Sequence, residues 1–76
     1  MKETTINYIK SRINHAKRFP GNLEMGRLYE NQAFGALELF CHCVYETDPE
    51  AEQELINRWN DNWRFEFEKI MFGERG

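Results

Sequence analysis

Residues 47–72 read TDPEAEQELINRWNDNWRFEFEKIMF, and this stretch decides the fold. Thr47 and Glu50 have the spacing of a capping box, while Asp48 followed by Pro49 offers the other common helix start, a capping carboxylate with proline at the first helical position. Glu50, Glu52 and Glu54 then complement the positive end of the helix dipole. Beyond them Leu55, Ile56, Trp59, Trp63, Phe67 and Ile70 recur at helical spacing, with Trp59, Trp63 and Phe67 each four residues apart. The segment Phe65-Glu66-Phe67-Glu68 alternates as a strand does. A lone strand needs a partner, and only Thr4-Ile6-Tyr8 offers one, so helix is the reading. Glu66 falls inside the apolar stripe and is expected at its edge, because an unpaired buried charge is costly.

Towards the N-terminus, residues 23–45 put Met25, Tyr29, Ala33, Ala36, Leu37, Phe40 and Val44 on one broad helical face, with Leu28, Leu39 and Cys43 widening it. Only a narrow polar strip of Glu24, Arg27, Asn31, Glu38 and His42 remains. A helix this apolar is expected in the middle, packed by both neighbours. Gly26 and Gly35 each cost such a helix about 1 kcal/mol relative to alanine. Gly26 and Ala33 share a line, which predicts close approach of another helix. Before it, Phe19-Pro20-Gly21-Asn22 is a break: Pro20 disfavours helical dihedrals at Phe19, Gly21 tolerates positive φ, and Asn22 can cap the second helix. Ile6, Ile9, Ile13 and Ala16 mark the inner face of a first helix, with Thr4 or Thr5 as its cap. Gly73 and Gly76 mark a frayed tail. The expectation is therefore an all-α domain spanning 1–76, a compact antiparallel three-helix bundle with helices at approximately 4–18, 23–46 and 48–72.

Seventy-six residues hold one small core, and 41% apolar, 30% charged residues with five glycines and two prolines exclude collagen-like and disordered classes. Such a core rarely supplies more than about 3–5 kcal/mol, so the eleven aromatics either reinforce it or form a partner surface. No window resembles a membrane span or secretion signal, which leads us to expect a cytoplasmic protein without membrane association.

Few constellations suggest chemistry. Cys41-His42-Cys43 carries zinc-ligand types, but on a helix positions 41 and 43 point about 200° apart and too few further ligands exist, so no metal and no cofactor is expected. Cys41 and Cys43 are expected to be free, buried thiols. Glu38 and His42, with Glu46 beyond, read as an exposed side-chain pair. A nucleophile with its base and orienting group is not discernible, nor is a phosphate-binding glycine loop, so a catalytic role is not expected.

Two surfaces remain. With the stripe of the third helix facing inward, Phe65 and Phe72 point outward with Arg58 and Lys69 near them, and Phe34 and Tyr8 also lie off their helices' inner faces. Aromatics with arginine are enriched at protein contacts, so Phe65, Phe72, Arg58, Lys69 and Phe34, with the outer side of the second helix, are the candidate partner-binding residues. The expected function is a non-enzymatic protein-interaction module, either a homodimer or an adaptor for a larger protein. The alternative rests on charge. Residues 1–20 carry Lys2, Lys10, Arg12, Lys17 and Arg18 against Glu3 alone, whereas residues 21–76 carry five bases and twelve acids. Lys10, Arg12, Lys17 and Arg18 are the candidate nucleic-acid contacts of a small regulator.

Overall fold

The computed structural model describes residues 1–73. Helix α1 (Lys2–Ala16) leads into α2 (Leu23–Val44), and α3 (Pro49–Arg58) continues through a π-helical turn (Trp59–Trp63) into α4 (Arg64–Phe72). The backbone stays right-handed helical at Arg58, Trp59, Trp63 and Arg64, so α3, the π turn and α4 form one rod and the molecule is a three-helix bundle. No strand occurs among the described residues, and residues 65–68 are helical. The expected Gly76 end of the tail lies outside the described residues. Gly73 closes α4 with φ of +76°.

The break at 19–22 forms as its residues dictate. Gly21 takes φ of +75°, and the Asn22 side chain accepts from the Met25 amide at 3.0 Å. The Gly21 N–H donates to the Ile70 carbonyl at 2.8 Å, tying this corner to the end of the third rod. At the other corner Asp48, not Thr47, is the cap: its carboxylate accepts from the Ala51 amide at 3.1 Å, with Pro49 at the first helical position. Helix α1 differs from expectation at both ends. It starts at Lys2 without a side-chain cap, because Met1 stands at the cap position and Thr4 and Thr5 fall inside the first turn, where the Thr5 hydroxyl donates back to the Met1 carbonyl at 3.0 Å. It ends at Ala16, after which the chain leaves through single-turn bonds such as Phe19 N–H to the Ala16 carbonyl at 2.9 Å.

Helix α2 lies between its neighbours. Ile6, Ile9, Ile13 and Ala16 of α1 and Leu55, Trp59, Trp63, Phe67 and Met71 of the third rod close on Ala33, Leu37 and Phe40. No polar or charged residue is buried among the described residues. Met71 of α4 packs directly on Gly26: a Cβ built there would run into its Cγ. The helix that comes against Gly26 is therefore α4, through the Met71 side chain.

The π turn explains how the third rod keeps one face inward. Steps of four residues drift by about 40° each on an α-helix, so the stripe Leu55, Trp59, Trp63, Phe67, Met71 would wander by about 160°. The Arg64 N–H reaches back five residues to the Trp59 carbonyl, and the extra residue in that turn takes back about 100°. All five side chains are buried as a result.

Candidate functional site

Ten large apolar side chains among the described residues remain a third or more exposed, and six of them, Met1, Tyr8, Leu39, Phe34, Phe65 and Phe72, border three clefts. The largest is a groove of about 450 Å³ between α1 and α2, walled by Met1, Tyr8, Ala36, Leu39, Phe40 and Cys43 and floored at Gly35. Its lining, completed by Thr4, Thr5 and Gln32, contains no aspartate, glutamate, lysine or arginine. Leu39 is 65% exposed. One turn away Gly35 has open space where a side chain would stand. Tyr8 packs against Arg12, whose guanidinium lies 5.1 Å from the Tyr8 ring and 5.5 Å from that of Tyr29 and donates to Gln32 Oε1 at 3.1 Å.

The candidate partner residues do not form one patch. Phe65, Lys69 and Phe72 do come together, lining a shallow cleft with Glu68 and Gly73. Both rings are partly covered, Phe65 by Arg64 at 4.9 Å and Phe72 by Arg27 at 6.0 Å. Arg58 does not join them, a correction to the expected grouping. Seven residues of α-helix would put Arg58 and Phe65 on one face, but the π turn between them rotates one against the other by about 100°. Arg58 instead lies over the Trp63 ring at 4.7 Å. Phe34 packs at 5.3 Å on Trp59 and opens onto a third cleft of about 400 Å³ with Leu37, Glu38, Cys41, Ile56 and Asn60.

The candidate nucleic-acid contacts are also divided. Lys10 and Lys17 face the third rod, where with Asn14 they line a polar cleft opposite Arg58, Asn62 and Glu66. Glu66 is half-buried at the edge of the stripe, as its cost of burial requires. Arg12 points to the other side of α1, held between Tyr8 and Tyr29, and Arg18 is exposed beyond the end of the helix. Lys2 forms an ion pair with Glu54 at 3.1 Å.

The thiols are free but not buried as expected. Cys43 is exposed in the groove and Cys41 half-buried, because Ala33, Leu37 and Phe40 define the inner line of α2 and leave both cysteines off it. Burial and, to a lesser extent, the nearby Glu52 carboxylate raise the Cys41 thiol above its ordinary value. His42 is exposed with its ring 6.3 Å from that of Tyr45, and no cluster of three or more metal-ligating side chains exists among the described residues. No described helix is long and apolar enough to cross a membrane.

Sequence reasoning marks Leu39 and Cys43 as widening the apolar face of α2, and Tyr8 as off the inner face of α1. It does not join them into a groove, because that depends on which sides of α1 and α2 meet. No family model matches the chain, and neither a curated protein nor a solved structure does.

Proposed function

We propose that the protein is a non-enzymatic interaction module that pairs with a second copy of itself through the α1/α2 groove. The observation that carries this reading is the juxtaposition of Leu39, 65% exposed, with the open space at Gly35 one turn away. In a two-fold pair the same surface meets itself, so each projection needs a matching recess on the same face. Leu39 of one copy seats over Gly35 of the other, and the reverse contact arises by symmetry. A two-fold contact also sets like charges against each other near its axis, and the lining carries no charged side chain. Burying one leucine side chain contributes about 1.5–3 kcal/mol, and the pair buries two, with Tyr8 and Met1 at the flanks. The Phe65 and Phe72 face, partly covered by Arg64 and Arg27, is secondary in this reading.

The contact is tested by mixing isotope-labelled with unlabelled protein and recording intermolecular proton contacts. The reading expects contacts between the Leu39 methyls and the Gly35 α-protons across the interface, lost in Leu39→Glu with helicity intact. Intermolecular contacts that persist in Leu39→Glu, or that centre on Phe65 and Phe72, would overturn it.

A further inference from the structure

The cleft between α1 and the third rod lies apart from the proposed pairing groove. Its volume is about 350 Å³, and unlike the other clefts its lining is chiefly polar: Lys10, Asn14 and Lys17 from α1 face Arg58, Asn62 and Glu66, with Ile13 and Trp63 beneath. Three cations from two helices therefore border one cavity on a chain whose net charge is −3. Ion pairing does not account for them. Among the described residues no carboxylate forms an ion pair with Lys10, Lys17 or Arg58, and Glu66 in the same cleft offsets only part of their charge. Arg58 is half-buried and lies over the Trp63 ring at 4.7 Å, which fixes its guanidinium at the cleft without occupying its N–H donors. Asn62 is delivered by the π turn, the irregular turn that also rotates Arg58 away from Phe65.

The geometry points to this cleft as a binding site for a single phosphate group, inorganic or carried as a phosphomonoester by a small molecule. Arg58 supplies a planar fork matched to phosphate oxygens, Lys10 and Lys17 supply point charges from the opposite wall, and the Asn14 and Asn62 amides complete the donors. Glu66 limits the site to a compact anion. A nucleic-acid backbone presents a row of phosphates and needs cations spread along a surface, whereas here they converge and Arg12 is turned elsewhere.

The experiment is an amide chemical-shift titration at fixed ionic strength with inorganic phosphate, glycerol phosphate, chloride and a short DNA duplex. Saturable shifts confined to residues 10–17 and 58–66 are expected with both phosphates and not with chloride. If inorganic phosphate alone binds, the ligand is the free ion; if glycerol phosphate binds as well or better, it is the ester. Both support the site. Arg58→Gln is expected to weaken binding about tenfold, and Lys10→Gln and Lys17→Gln, exposed and tolerable to the fold, each several-fold. Equal response to chloride, shifts outside those segments, affinity unchanged in all three variants, or tighter binding of the duplex at equal phosphate concentration would overturn the proposal.

Discussion

At Gly26 a residue unfavourable to a helix is retained because of what lies opposite. The helix forgoes about 1 kcal/mol of propensity, and Met71 fills the space a methyl group would take. The sign of Gly26→Ala should therefore depend on residue 71. In the native background it destabilises, since Met71 must move. In a Met71→Ala background the same change should stabilise by about 1 kcal/mol, filling part of the cavity and restoring helix propensity. Urea titrations of the four proteins read this directly, and the same sign in both backgrounds would refute the close approach. The cysteines offer a second residue-scale check. With its pKa raised, Cys41 holds less thiolate at a given pH than an unperturbed thiol, and it is half-buried, whereas Cys43 is exposed. In Leu39→Glu, where the groove is left open, iodoacetamide at mildly alkaline pH should modify Cys43 several-fold faster than Cys41, as peptide mass mapping over time would show; equal rates would contradict the placement.

The elements are largely legible in the sequence because their ends carry local chemistry. Pro20, Gly21 and Asn22, and then Asp48 and Pro49, act through their own dihedrals and side-chain oxygens, so neighbours in sequence suffice to read them. Thr5 misleads because the helix starts before it, at Lys2, so its hydroxyl lies inside the first turn and bonds back to the Met1 carbonyl. The π turn is not legible. Leu55, Trp59, Trp63 and Phe67 read as a stripe on a plain α-helix, and only their common burial requires the extra residue. On that plain helix Arg58 falls on the Phe65 face, which is why the sequence groups them. If the turn holds one surplus residue, deleting Asn60 should return it to α-geometry, keep both halves of the rod in register and leave melting cooperative. Deleting Asn31 should instead rotate Ala33, Leu37 and Phe40 by about 100° relative to Gly26 and abolish the cooperative transition. Circular dichroism melts distinguish the two, and loss of cooperativity on deleting Asn60 would count against this account of the turn.

For the molecule as a whole, the same small size that favours a three-helix bundle leaves large apolar side chains outside it. The bundle exposes 5125 Å² in total, and a standard interface takes roughly 800 Å² from each partner. The candidate sites are less legible than the fold because they lie between elements: Tyr8 with Leu39 across α1 and α2, and Lys10 with Arg58 across α1 and α3. Residue type marks the members, and packing alone assembles them. The central claim is that the α1/α2 face is paired with its own copy. Light scattering coupled to size exclusion over a concentration series tests it most directly. The account predicts twice the 9.2 kDa chain mass for the native protein and for Phe65→Ser, with Leu39→Glu falling to one chain; a single-chain mass for the native protein at every concentration would contradict it.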